Sequence, residues 1–427
     1  MSDAASPIRR AIAAVWRIES PRILGGLVRM VHDVGLAEDL AQATLLTALE
    51  RWPSTGVPDN PGAWLMATAK RRAIDHRRHE HMVARRSAMI ADDALDDAAQ
   101  SSALEAALDT DVDDDVLRLM FVACHPLLAT QARTALTLRL LGGLTTEEIA
   151  RAFLVPTPTV AQRIVRAKRT LAEARVPLQV PHAAERAERL PSVYEVLYLI
   201  FNEGYAASRG DDWIRVELCD EALRLGRILA ALVPEQPEAH GLLALMELHA
   251  SRLRTRVDAH GDPILLLDQD RARWDHLLIQ RGLAALDRAE ALARPLGPYT
   301  LQAAIVACHA RARTADATDW PRIVALYDAL VELTQSPVVA LNRAVAVGMA
   351  FGAHEGLAAV DALADEPALQ GYHHLPAARA DLLVKLGQLA QARGEFERAA
   401  GLTQHDRERA LLLRRAKDCA LPPRTPD

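Results

Sequence analysis

Gln162, Arg163, Arg166 and Arg169, with Thr159 one turn before them, recur along one side of the stretch TPTVAQRIVRAKRTL. Gln amides and Arg guanidinium groups are the side chains that read base edges in a DNA major groove, while further Arg side chains neutralise phosphate. Residues 163–175 hold five basic residues and one acidic residue, an uneven balance for a helix face that is merely solvated. A second basic set, Lys70, Arg71, Arg72, Arg77 and Arg78, lies in AWLMATAKRRAIDHRRHEH, opposed only by Asp75 and Glu80. The first set points to nucleic-acid recognition, the second is a dense basic stripe, and no residue set points to bond making. Cys124 and His125 are adjacent but lack a second ligand pair at a usable spacing, so a core cysteine is the reading there. Glu203, Asp211, His240, His249, His260 and Asp268 are too dispersed for a metal or acid–base constellation. The chain is therefore read as a non-enzyme with no metal and no cofactor.

Two helices must position the first set. In LTTEEIARAF, Thr145 can cap a helix while Glu148 reaches back to the cap's own amide, and Ile149 and Phe153 share a face. LVP breaks the run. Thr157 is the expected N-cap of the next helix, with Pro158 at its first position. There Val160, Ile164, Ala167 and Leu171 form a buried stripe opposite the Gln and Arg side chains. The spacing predicts a helix-turn-helix. An amphipathic hairpin with a solvated basic face is the plainer alternative; the two capped starts and the charge balance favour the DNA-binding one.

The rest of the chain is expected to be all-α. Its 427 residues suffice for two or three domains, half are hydrophobic and only 4 % aromatic, so the cores should be Ala- and Leu-packed helices. A net charge of −6 excludes a generally adhesive polycation and confines DNA contact to local patches. Four scattered cysteines, no leader pattern and no long apolar run point to a soluble cytoplasmic protein away from membranes. Residues 8–82 read as a small helical domain: helical patterns over 8–16 and 23–34, a break at Gly35, then AEDLAQATLLTALERW and the basic helix. In the middle helix Leu40, Ala43, Leu46 and Leu49 are expected to face a core, leaving Glu38, Asp39 and Gln42 as a polar edge. Residues 83–115 form an acidic linker, with ten acidic and no basic residues over 91–115. Residues 116–175 form a second helical domain ending in the helix-turn-helix.

Those motifs, in that order and spacing, resemble the extracytoplasmic-function (ECF) sigma factors, promoter-specificity subunits of bacterial RNA polymerase. The resemblance covers residues 8–175 and implies two small sigma domains, region 2 and region 4. It implies that Glu38, Asp39 and Gln42 dock on the clamp helices of the largest subunit of core RNA polymerase. It further implies that the helix over 70–78 engages the minus-ten element of promoter DNA, and that residues 162–169 read the minus-thirty-five element. Arg71 stands where many such proteins have Asn.

A junction with Pro177 and Pro181 leads to a C-terminal helical domain over 190–418. Helix pairs are expected at 299–311 with 320–333, 338–349 with 355–363, and 377–386 with 389–400. Gly352 and Gly387 lie 35 residues apart, near the tetratricopeptide (TPR) period, and Gly387, Ala392, Phe396 and Ala399 fit the last copy. Stacked TPR-like repeats expose a concave face for a protein or peptide partner. A subgroup of ECF sigma factors carries such an extension, and the resemblance implies a small YCII-like protein as a possible partner. The tail is expected to start packing soon after residue 175 and to regulate the front. The competing reading is a stand-alone helix-turn-helix regulator with a TPR-like sensor domain; a further one is an adaptor whose front is vestigial.

Overall fold

A computed structural model describes residues 7–88, 112–153, 155–178, 181–206, 214–258, 261–292, 294–403 and 405–420. Most of the acidic linker, Val180, Asp211 and His260 lie outside the described residues. Among the described residues there are helices and one isolated β-bridge, Val257 to Pro263, but no strand. None of the helices is long and apolar enough to cross a membrane. Contacts divide the chain into two compact units, Met1–Leu199 and Ile200–Asp427.

The first unit begins with α1 (Pro7–Val31), α2 (Val34–Thr55) and α3 (Pro61–Ala88). The two helical segments expected before Gly35 are one helix, with Pro21 in its interior. The break falls earlier than Gly35: His32 adopts φ 53° and Asp33 caps α2, accepting from Leu36 N at 2.8 Å. In α2 the buried positions are Val34, Ala37, Glu38, Ala41, Thr44, Ala48 and Trp52. This corrects the expected register, because Leu46 is 58 % and Leu49 36 % exposed. Small residues at 37, 41, 44 and 48 let α1 and α3 approach closely, and Trp52 closes the stripe against the edge of Trp64, 5.3 Å between centroids.

The second half of this unit holds α4 (Val112–Ala123), α5 (Thr130–Leu140), α6 (Thr146–Ala152) and α7 (Thr157–Glu173). The capping box at α6 is present in both directions: Thr145 N donates to Glu148 Oε2 at 2.8 Å, and Glu148 N to Thr145 Oγ1 at 3.1 Å. The cap of α7 is Pro156, one residue before the expected Thr157, because the Pro156 carbonyl already accepts from Thr159 N at 2.9 Å. Asp115, at the end of the sequence expected to be linker, is instead a buried residue of α4. Cys124 is buried beside Thr137, and burial pushes its thiol up to about 11, as suits an inert core cysteine.

Helix α8 (Ala183–Tyr205) starts in the first unit and ends in the second. Its early part packs on α4 and α5: Arg189 Nη2 donates to Phe121 O at 2.7 Å, Ser192 Oγ to Cys124 O at 2.5 Å, and Arg133 pairs with Glu195 at 3.0 Å. Leu190, Val193 and Leu197 are buried. The expected early packing after residue 175 is thus present within the first unit.

The second unit continues with α9 (Val216–Leu232), α10 (Pro237–Ala250), α11 (His276–Leu292), α12 (Pro298–Arg311), α13 (Trp320–Thr334), α14 (Pro337–Ala350), α15 (Ala353–Asp361), α16 (His374–Lys385), α17 (Leu389–Leu402) and α18 (Asp406–Asp418). From α12 onward each helix packs on the next, so the six helices expected as three pairs are all present. Gly387 turns between α16 and α17 at φ 74°, where a side chain would be strained. Ala392, Phe396 and Ala399 are buried, as their spacing requires, and Phe396 joins Ala380 and Leu412 in one cluster. Glu238 of α10 caps α12 from a distance, accepting from Tyr299 N at 2.8 Å and Thr300 N at 3.1 Å.

Candidate nucleic-acid interface

Helix α7 separates its faces cleanly. Val160, Ile164, Ala167 and Leu171 are buried against α5 and α6. Gln162, Arg166 and Arg169 are exposed on the other side, with Thr159 and Arg163 half-buried at its margin. Arg169 pairs with Glu173 at 3.1 Å, but both side chains are mostly exposed and such a pair is worth little, so phosphate can displace the carboxylate. Val165, 64 % exposed, sits among these polar groups. Sequence reading passed over it, although an apolar residue off the buried stripe of a basic helix is the signal that could have found it.

On α3, Arg71 and Arg78 are exposed while Lys70, Arg72 and Arg77 are half-buried. Arg72 Nη2 donates to Thr47 Oγ1 at 2.7 Å, so part of its guanidinium ties α3 to α2. Leu65, Ala69 and Ala73 anchor the opposite side in the core.

The polar edge of α2 divides. Asp39 is exposed and Gln42 half-buried, in line with the exposed Leu46 and Leu49 at intervals of three and four residues. Glu38 faces away from them and is 7 % exposed. Its Oε1 accepts from Arg139 Nε at 2.6 Å, and its Oε2 is paired with Lys168 of α7. Burial alone would raise the Glu38 carboxyl, but Lys168 and Arg139 together outweigh it and hold the pKa below the ordinary carboxylate value. Sequence reading gave Arg139 and Lys168 no role, since a pairing between residues this far apart in the chain leaves no local spacing to detect.

Three further contacts join the same two halves of the unit. Asp115 pairs with Arg29 of α1 at 3.1 Å and with Arg118 of its own helix. A Cβ on Gly25 would lie 2.4 Å from Asp115 O, so α1 and α4 touch through bare backbone there. A Cβ on Gly143, in the turn before α6, would meet Ser20 Oγ at 3.3 Å.

Three of the dispersed titratable groups of the second unit have ordinary partners. Glu203 pairs with Arg215, the His240 ring is 3.0 Å from Pro234 O, and burial holds His249 well below its usual pKa beside Tyr205. Among the described residues the grouping nearest to a metal-ligand set is His373, His374 and Glu408. Glu408 already lies 3.0 Å from His373 Nε2 and accepts from Thr403 Oγ1 at 2.5 Å, which makes this a strap between the start of α16 and α18.

Three stretches of the chain match known families. Residues 16–81 match sigma-70 region 2, residues 118–171 match sigma-70 region 4, and residues 189–290 match a family of unknown function (DUF6596). An uncharacterized protein of Rhizobium meliloti, R00370, is 42 % identical over 407 residues, 95 % of each chain. A probable ECF RNA polymerase sigma factor of Mycobacterium tuberculosis, SigI, is 30 % identical over 175 residues, 41 % of this chain and 59 % of that protein. No solved structure matches the chain. With sigma-70 regions 2 and 4 in order, and an extension shared along nearly its whole length with the Rhizobium protein, this chain belongs to the ECF-like sigma factors that carry a C-terminal extension.

Proposed function

We propose that the chain directs core RNA polymerase to specific promoters, with each site residue in the following role. Asp39 and Gln42, with Leu46 and Leu49 beside them, dock on the clamp helices of the largest subunit. Apolar groups flanked by polar ones are the usual make-up of an interface centre. Lys70, Arg71, Arg72, Arg77 and Arg78 hold the minus-ten element, with Arg71 and Arg78 the most accessible. Thr159, Gln162, Arg163 and Arg166 read the minus-thirty-five element, Val165 offers a surface for a thymine methyl, and Arg169 meets phosphate. The carrying observation is α7 itself: a fully buried apolar stripe backs an exposed Gln–Val–Arg–Arg face, behind a helix closed by a capping box.

The C-terminal helical part regulates this activity through a protein or peptide bound to its TPR-like pairs, a small YCII-like protein being the partner that the family resemblance implies. The protein works in the cytoplasm and carries out no reaction of its own. Co-purification with core polymerase tests the docking face. Asp39→Ala combined with Gln42→Ala should weaken capture while helicity stays constant; unchanged capture would remove the assignment of that edge.

A further inference from the structure

We propose that His373, His374 and Glu408 form a binding site for a divalent transition-metal ion of the zinc class, which ties the last helix of the extension to α16. The inference stands independently of the polymerase reading.

Two helix starts bring the three residues together. His373 caps α16, His374 is its first residue, and Glu408 lies in the first turn of α18. One ligand atom from each lies within 4.8 Å of the other two. Zinc takes imidazole nitrogen and carboxylate oxygen at about 2.0–2.2 Å, so its tetrahedral ligand atoms stand roughly 3.4 Å apart. Small side-chain rotations close the set around one ion. Two His and one Glu, with a fourth position left to water, is a standard zinc ligand set.

An ion pair between His373 and Glu408 does not account for the whole arrangement. His373 Nε2 is 3.0 Å from Glu408 Oε1, yet this buried nitrogen makes no hydrogen bond, so its N–H direction misses the carboxylate. An ion pair also asks His373 to carry a proton. The His374 ring lies 3.9 Å away between centroids, and the positive end of α16 disfavours an imidazolium at this position. Desolvation, and then the neighbouring His373, hold the His374 pKa below its ordinary value, which keeps a lone pair available. Glu408 supplies the negative charge. Burial alone would raise its carboxyl, but His373 and Thr403 outweigh that and hold it below the ordinary carboxylate value.

The groups around the set are those that orient metal ligands. Thr403 Oγ1 donates to Glu408 Oε2 at 2.5 Å, which leaves Oε1 on the side of His373. The Tyr372 ring meets His374 edge-on, 5.0 Å between centroids, and limits its rotation. Helix α18 is otherwise held by Leu412 and Ala416 against Phe396, toward its far end. A bound ion would anchor its first turn as well, and would stabilise the folded extension by mass action.

The test uses the full-length chain, freed of metal with a chelator and then titrated with zinc by calorimetry and with cobalt by visible absorption. The wild type should bind one equivalent of zinc, give the intense visible bands of four-coordinate cobalt, and unfold at a higher temperature with zinc than without. Losing an outer-shell partner of a metal ligand costs about 10- to 100-fold in affinity, so loss of a ligand itself should cost at least about 100-fold. His374→Ala should show that loss and no thermal shift with zinc, while its metal-free circular dichroism matches the wild type, because His374 lies outside the His373–Glu408 contact. Glu408→Gln should lose affinity likewise; if it does not fold, His374→Ala decides alone. A wild type that gives no heat with zinc and no visible bands with cobalt would overturn the site. So would His374→Ala binding zinc as tightly as the wild type, since the ion would then be held elsewhere.

Discussion

Glu38 Oε1 accepts a hydrogen bond from Arg139 Nε at 2.6 Å, joining residues 101 apart in sequence and linking sigma region 2 to sigma region 4. With Lys168 on the second oxygen, this carboxylate is buried and doubly paired. Breaking such a set by removing one member is costly, because the remaining charges stay desolvated.

The first prediction concerns acid. The Glu38 pKa is lowered in the folded protein, so its stabilising contribution is fully present above the ordinary value of 4.5 and is lost as pH falls through the lower folded value. Glu38→Gln should cost about 1.5–3 kcal/mol at neutral pH, the range for hydrogen bonds to charged groups. Chemical denaturation of both proteins from pH 7 down to pH 3 should show that difference shrinking with acid. A difference constant across the range would mean that the Glu38 charge contributes nothing.

Helix α7 supplies the second. Arg163→Ala or Arg166→Ala should each lower transcription from the cognate promoter and relax preference at one base, a loss of about 1–3 kcal/mol in discrimination. Arg169→Ala should weaken all upstream sequences about equally and flatten the salt dependence. Binding to a library of upstream elements separates the two patterns. Equal losses on every sequence for all three variants would reduce the whole face to phosphate contact.

A third follows from the register of α2. Leu46→Ala and Leu49→Ala should leave thermal stability within about 0.5 kcal/mol, as for most exposed positions, yet reduce core polymerase capture. Trp52→Ala should cost about 3–5 kcal/mol through the cavity it leaves against Trp64. A loss of stability in the leucine variants equal to that of Trp52→Ala would restore these leucines to the core.

How much of this was legible in the sequence depends on the range of each interaction. The capping box at Thr145 and Glu148, the stripe Val160–Ile164–Ala167–Leu171 and the three C-terminal helix pairs are local patterns, and the structure has them all. The face of α2 was misread because two stripes share that helix. Leucine outranks alanine in hydrophobicity, but close packing of three helices selects the small residues at 37, 41 and 48 and turns Leu46 and Leu49 outward. Pro21 interrupts nothing because the surrounding burial of Ile23, Leu24, Leu27 and Val28 holds α1 together across it. Asp115 looked like one more linker acid, since its partner Arg29 is 86 residues away. Glu38 was marked by its resemblance as a docking residue, and only the tertiary structure brings Arg139 and Lys168 to it.

The fourth prediction separates the two halves of the C-terminal connection. A chain ending at Arg175 loses the Arg189 bond to Phe121 O, the Ser192 bond to Cys124 O and the buried side chains of Leu190, Val193 and Leu197. It should be less soluble than the full chain and less active on the target promoter. Activity above that of the full-length protein would show instead that the extension inhibits.

The most direct test of the central claim is a footprint on a cognate promoter with purified protein, with and without core RNA polymerase. The account predicts protection at both promoter elements only when core enzyme is present, because α3 and α7 both pack on α2 and lie too close together to span two separate elements by themselves. Full protection by the protein alone, on a palindromic site and indifferent to added core, would contradict it and mark a conventional helix-turn-helix regulator.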